Sequence, residues 1–145
     1  MNRKLIFFAL VLTTVFVACT VKPGSTSESG DESPYGKLMA EVMAIHDEVM
    51  PQMSKLYELK KSLGEKTETL SDSETDKELR TKIEAATQSL EKADEGMMNW
   101  MRNFEDPGEN DPEKAVAYLQ KEKEKVLEVK KQMLESIQTA EQILQ

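Results

Sequence analysis

Cysteine, histidine and tryptophan each occur once in this chain of 145 residues, and aromatic residues make up only 6% of it. A single cysteine excludes an internal disulfide, and a zinc site with one histidine would depend on carboxylates, against the usual ligand pattern. The residue three positions before His46 is Met43, so the Glu-x-x-His pairs of di-iron bundles are missing. Glycine-rich turns that would cradle a phosphate or build an oxyanion hole are missing as well. We therefore expect that the protein is not an enzyme.

The chain also lacks a basic patch. It has 19 lysines and arginines against 27 aspartates and glutamates, which gives a formal net charge of −8. A chain this acidic, with no basic residues clustered beside aromatics, is a poor candidate for binding nucleic acid. Charged residues of both signs form 32% of the sequence, which is typical of long solvent-exposed helices, and the length allows one domain with its own core.

The N-terminal segment has the pattern of a secretory leader. Arg3 and Lys4 precede the uncharged apolar run 5–18, which is shorter than the ~20 residues that span a membrane. We therefore predict a lipoprotein signal peptide at 1–18. Its removal would take away two positive charges and no negative ones, so the net charge would change from −8 to −10.

The end of this leader indicates a lipid anchor. Ala18 and Cys19 match the end of a bacterial lipoprotein signal, although Phe16 stands where leucine is usual. We predict acylation of Cys19, with palmitate among the chains, and stable anchoring to a membrane; the alternative is an ordinary secretory signal beside a chance cysteine. Thr20 is not an inner-membrane retention signal, so we expect the outer membrane, facing the periplasm. The segment 19–33 is polar apart from its start and is predicted to be a disordered, flexible tether.

Three amphipathic segments follow, separated by polar turns, and no strand signal interrupts them. The predicted helices are 34–66, 74–104 and 111–145. The turn before the second helix offers two competing capping boxes, Ser71 with Glu74 and Thr75 with Glu78. Short turns between helices of similar length favour neighbours that run in opposite directions. We predict an all-α fold, an antiparallel up-down-up three-helix bundle over 34–145.

The first predicted helix carries two adjacent apolar stripes. The aliphatic stripe is Leu38, Val42, Ile45, Val49, Leu56, Leu59 and Leu63. The second, which we call the soft stripe, is Met39, Met43, His46, Met50, Met53 and Tyr57. A helix that is apolar over so wide an arc needs cover from more than one partner. Pro51 lies inside this helix, and because the soft stripe keeps its phase across it, we predict a kinked but continuous helix.

Antiparallel packing would bring the soft stripe level with the end of the second helix. The candidate core or binding cluster there is Met39, Met43, His46, Pro51, Met97, Trp100, Met101 and Glu122. In the simpler interpretation these side chains only pack, because methionine fills irregular gaps near a kink. His46 would then hydrogen-bond to a carboxylate, first Glu122 and otherwise Asp47 or Glu48.

The alternative interpretation of this cluster is a soft-metal site. Thioether and imidazole ligands select Cu(I) or Ag(I), and the face of Trp100 would lie over the cation. The candidate ligands are Met39, Met43, His46, Met97 and Met101. A haem held by His46 and a methionine is a third idea, which ranks below copper because a small bundle leaves little room for a porphyrin.

Two motifs carry a resemblance to a known family. They are His-Asp-Glu-Val-Met-Pro at 46–51, followed by a Leu/Lys-rich segment, and Met-Met-Asn-Trp-Met-Arg-Asn-Phe at 97–104. With them the chain resembles a family of small lipoproteins from Bacteroidota-type bacteria. The resemblance covers most of the region after the leader. It implies a helical fold and an envelope location, and it brings no catalytic residues because the family has no established activity.

Two functions remain open from the sequence. The first is a non-enzymatic, lipid-anchored cell-envelope protein that binds an envelope protein or a second copy of itself and needs no cofactor. The second is a periplasmic lipoprotein that binds or buffers Cu(I) or Ag(I) through the cluster of methionines, His46 and Trp100.

Overall fold

The computed structural model describes residues 32–145, and no strand occurs among them. The helices are α1 (Pro34–Val49), α2 (Gln52–Glu68), α3 (Glu74–Asn103) and α4 (Pro112–Leu144). The predicted signal peptide, Cys19 and the tether as far as residue 31 lie outside the described residues. Within the described residues, no helix combines the length and the apolar character that crossing a bilayer requires.

Side-chain caps set where three of the helices begin. Ser33 accepts from the Gly36 N–H at 3.0 Å, Ser73 from the Asp76 N–H at 3.2 Å and Asp111 from the Lys114 N–H at 3.3 Å. Because Ser73 is the N-cap of α3, neither predicted capping box forms. Asp76 instead reaches back to Ser71 and accepts bonds from its hydroxyl and, at 3.0 Å, from its N–H. These bonds hold the pKa of Asp76 below its usual value.

The junction of α1 and α2 lies at the proline. Met50 (φ −54°, ψ −39°) and Pro51 (φ −60°, ψ −23°) both keep right-handed helical backbone angles, although helical hydrogen bonding is interrupted there. Pro51 has no N–H to offer the Asp47 carbonyl, and the Met53 N–H turns to the Met50 carbonyl at 3.1 Å. The prediction of one continuous helix is therefore wrong: Met50 and Pro51 separate two helices, α1 and α2.

The core is aliphatic, with α4 packed against all three other helices. The largest fully buried side chains are Val42, Val49, Leu56, Leu63, Leu90, Met97, Leu119, Val126 and Met133. The aliphatic stripe of the first two helices therefore supplies much of the core. The soft stripe lies at its edge, because Met43 is 36% and Tyr57 69% exposed. The expectation that neighbouring helices cover both stripes holds only in part for the soft one, because Met50 and Met53 pack against the core while Met43 and Tyr57 are exposed.

Ion pairs between helices record how the segments are aligned. They are Glu41–Lys123 at 2.6 Å, Glu48–Lys130 at 2.6 Å, Lys55–Glu141 at 2.9 Å and Lys60–Asp94 at 3.1 Å. Partner positions on α4 rise as positions on α1 and α2 rise. Partner positions on α3 fall instead, from Met101 beside His46 to Asp94 beside Lys60. Exposed pairs of this kind contribute about 0–1 kcal/mol each, so they report alignment more than stability.

The turn between α3 and α4 closes the end of the bundle at which α1 begins. The Tyr35 hydroxyl donates to Asp106 at 2.5 Å, and the Gly108 N–H donates to the same carboxylate at 2.9 Å. Together these bonds lower the pKa of Asp106. Gly108 adopts a φ of +62°, a conformation that glycine accepts without steric cost. The start of α1 is thus bonded to the turn that leads into α4.

Candidate functional site

His46 is the centre of the site, because each of its ring nitrogens has a partner. Its side chain lies on α1 and is 18% exposed. Nδ1 is 2.9 Å from a carboxylate oxygen of Asp47, and Nε2 is 3.3 Å from the sulfur of Met101 on α3. The predicted first choice of partner, Glu122, is therefore wrong, and Asp47 is the carboxylate that His46 contacts.

Aromatic rings continue from His46 toward the α3–α4 turn. Trp100 lies 5.7 Å from the imidazole, Phe104 lies 5.0 Å from Trp100, and Tyr118 lies 6.2 Å from Phe104, all between ring centroids. Trp100 is buried to all but 7% of its surface. Its Nε1 is the one buried side-chain polar atom in residues 32–145 without a hydrogen-bond partner. An unpaired buried donor costs about 1–3 kcal/mol, so the ring packing must exceed that cost.

Glu122 lies on the other side of Trp100, in a groove between α3 and α4. The groove has a volume of about 490 Å³ and is lined by Gly96, Asn99, Trp100, Asn103, Glu122, Lys125 and Val129. Glu122 is only 4% exposed, and Lys125 donates to it at 2.6 Å. This hydrogen bond and the carboxylate charge raise the pKa of Lys125. Glu122 therefore belongs to an ion pair within α4 and not to the histidine network.

The structure separates the five predicted metal ligands. His46 and Met101 are in direct contact, and Met101 is half-buried. Met97 is fully buried in the aliphatic core. Met43 lies one turn before His46 on α1 and Met39 two turns before it, both with partly accessible side chains. Thus one imidazole and one thioether already meet, while Met97 serves the core.

Pro51 and three further residues also belong to the surroundings of the site. Pro51 is exposed and touches neither imidazole nitrogen, so it acts through the bend between α1 and α2. Lys125 was not singled out from the sequence, although its position three residues after Glu122 is the spacing at which helical side chains meet. The ring contact between Phe104 and Tyr118 was harder to predict from the sequence, because it depends on the geometry of the α3–α4 turn.

The arrangement brings together side chains that can act as ligands. No group of three or more His, Cys, Asp or Glu side chains with metal-binding geometry occurs in residues 32–145. A borderline metal such as zinc therefore finds no such ligand set in this region. The donors that do meet, imidazole nitrogen and thioether sulfur, are of the kind that soft cations prefer.

Comparison with known protein families, curated proteins and solved structures finds no match for this chain. The resemblance of the 46–51 and 97–104 motifs to a family of small lipoproteins stays a prediction. The function proposed below therefore rests on the residues of this chain and their contacts.

Proposed function

We propose that the protein is a lipid-anchored, non-enzymatic helical bundle of the cell envelope that acts by binding another envelope protein. In this proposal a signal peptide and a polar tether precede an antiparallel up-down-up bundle. The order of the interhelical ion pairs supports that arrangement, since α4 follows the direction of α1 and α2 while α3 opposes it. The protein would then be one of the small bacterial lipoproteins that its two motifs resemble.

The observation that carries the proposal is the position of Cys19. It directly follows a charged start and an apolar run, and the capped start of α1 at Ser33 follows the polar segment after it. As a flexible coil, about fourteen residues span roughly 20 Å, enough to hold a bundle clear of a lipid surface. The proposed place is the periplasmic face of the outer membrane.

Metabolic labelling with a palmitate analogue tests the anchor. The wild-type protein should carry the label and fractionate with outer membranes, because stable anchoring needs two or more acyl chains. Cys19→Ser should remove the label and release the protein into the soluble periplasmic fraction if the leader is still cleaved. Cys19→Ser protein that stays labelled, or wild type that is unlabelled, would contradict the lipid anchor.

The surface of α4 supplies the feature that favours a protein partner. Leu127 and Leu134 lie two turns apart on one face of this helix, and each is 42% exposed. The bundle is acidic, so a second copy meets electrostatic repulsion. The proposed occupant of this face is therefore a different envelope protein that presents an apolar patch to Leu127 and Leu134.

Site-specific photocrosslinking in cells tests the partner. A photoreactive residue at Leu127 or Leu134 should give one discrete adduct, identified by mass spectrometry as an envelope protein. The same residue at Glu84, an exposed position on α3, is the matched control and should not give that adduct. An adduct at twice the mass of the protein would show self-association instead. Equal products from Leu127 and Glu84 would refute the proposed surface.

A further inference from the structure

The two contacts of His46 make different demands on one imidazole ring. The Asp47 carboxylate only accepts hydrogen bonds, so at 2.9 Å it requires a proton on Nδ1. A neutral imidazole carries one N–H, which leaves Nε2 with a lone pair. That lone pair faces the Met101 sulfur, a weak acceptor, at 3.3 Å. At this distance the two atoms are in van der Waals contact, and an electrophile between them, either a proton or a soft cation, would make the contact attractive.

The separation of the two donors suits a shared cation. Imidazole nitrogen and sulfur bind metals at about 2.0 and 2.3 Å, so donors at tetrahedral or trigonal angles around one ion lie about 3.5–3.7 Å apart, and these two would have to separate by only a few tenths of an ångström. The observed Nε2–Sδ distance is 3.3 Å. Asp47 supplies the second requirement of a metal-binding histidine, a carboxylate that accepts the other ring N–H and holds the ring in one tautomer.

We propose that His46 Nε2 and Met101 Sδ bind one soft monovalent cation, Cu(I) or Ag(I), with Met43 as the third donor. A thioether selects this class of ion over zinc, magnesium or calcium. Met43 lies one helical turn before His46, and its 36% exposed side chain is not confined by the core. The Trp100 ring, 5.7 Å from the imidazole, flanks the cation. Met97 is not a ligand, because it is fully buried among core side chains.

This site goes beyond the proposed anchoring and partner binding and does not depend on either. It would give a lipid-anchored bundle the capacity to hold a reduced coinage metal at the edge of its core. The half-buried ligands leave the ion open to exchange with another carrier.

An anaerobic titration with a chromogenic Cu(I) chelator as competitor tests the site. The full-length chain is used in detergent, with Cys19→Ser in every arm because the chain's only thiol would otherwise bind Cu(I). We expect one Cu(I) per chain, and the same stoichiometry with Ag(I). The emission of Trp100, the only tryptophan, should change in proportion to occupancy, while a tenfold excess of Zn(II) should leave bound Cu(I) in place.

Four substitutions assign the ligands. Met101→Leu keeps the side-chain volume and should weaken binding at least tenfold, and Met43→Leu should weaken it to a smaller extent. Asp47→Asn should weaken it by about ten- to a hundredfold, as for other residues that orient a ligating histidine. Met98→Leu is the matched control, because Met98 is a 40% exposed neighbour outside the site, and its affinity should equal that of the parent.

Three results would overturn the proposal. The first is failure of the parent to compete with the chelator. The second is equal binding by Met101→Leu and Met98→Leu, which would make any uptake a general property of the methionines. Binding without a change in Trp100 emission would place the ion elsewhere. Circular dichroism melting of each variant identifies loss of fold, and the separate lipidation assay keeps failure of this site distinct from failure of the anchor.

Discussion

Replacing Pro51 with alanine should stabilise the protein. Both Met50 and Pro51 already have right-handed helical angles, so alanine fits at position 51 without moving the backbone. The new N–H at position 51 would face the Asp47 carbonyl, the bond that proline cannot make. The substitution would therefore join α1 and α2 into one continuous hydrogen-bonded helix.

The expected net gain is about 0.5 kcal/mol and at most about 1 kcal/mol. Proline costs about 3 kcal/mol relative to alanine inside a straight helix, and that figure contains both the missing bond and the clash with the preceding turn. The bend at Met50 and Pro51 has already relieved much of the clash, which leaves mainly the hydrogen bond, about 0.5–1.5 kcal/mol. Removing a proline also gives the unfolded chain more conformational freedom. This stabilises the unfolded state by about 0.4–1 kcal/mol and so reduces the gain.

Urea denaturation followed by circular dichroism measures this change. For a small protein with a slope of about 2 kcal/mol per molar urea, the midpoint should rise by about 0.2–0.5 M at an unchanged slope. Ser54→Ala, one turn further along at an exposed position, is the control for helix propensity alone and should change stability by less than about 0.5 kcal/mol. A lower midpoint for Pro51→Ala would refute the reasoning. It would mean that the bend is needed to pack Val49 and Leu56 and that straightening the helix pulls them out of place.

Two further predictions follow from burial and from pKa. Leu56→Ala should lower the free energy of unfolding by about 2–5 kcal/mol because Leu56 is fully buried, whereas Tyr57→Ala, at a 69% exposed neighbour, should cost under about 1 kcal/mol in the same urea assay. Comparable losses from both would contradict the assigned core face. The lowered pKa of Asp76 stabilises the fold above the unfolded value of 3.8, and this contribution is lost as the pH falls through the lower folded value. Asp76→Asn should therefore be less stable than wild type at pH 6, and the difference should shrink between pH 4 and pH 2 in acid titrations of the urea midpoint; a constant difference would show that the charge is not responsible.

The sequence was sufficient to predict where α1 and α4 begin. Periodic apolar positions and the pairs Ser33-Pro34 and Asp111-Pro112 predict starts at 34 and 111, and the structure begins α1 at Pro34 and α4 at Pro112. These signals are local, because a cap or a missing N–H acts within one turn of the chain. The choice of cap for α3 escaped prediction for the same local reason: several serines and acids compete there, and Asp76 satisfies two of the serines at once.

The sequence was enough to predict which residues of the candidate site lie near each other, but not which of them are in contact. Spacing along α1 and the approximate alignment with α3 were enough to bring His46 to the level of Trp100 and Met101. The same reasoning gave His46 the wrong carboxylate, because Glu122 lies at a similar level but on the far side of Trp100, in the α3–α4 groove. The position of a residue along the bundle axis follows from counting residues. The side of a helix that faces a neighbour depends instead on how each helix is rotated about its own axis when the helices pack.

By itself, the amino-acid order determined that the chain forms capped amphipathic helices with an aliphatic face, since these properties depend on residues within a few turns of each other. Only the tertiary structure decided which methionine is core and which is donor. Met97 and Met101 are one turn apart on α3, yet the aliphatic core buries the first completely and leaves the second against the imidazole of His46. That difference arises from the rotation and crossing of whole helices, which the burial of the aliphatic core sets and no short stretch of sequence encodes.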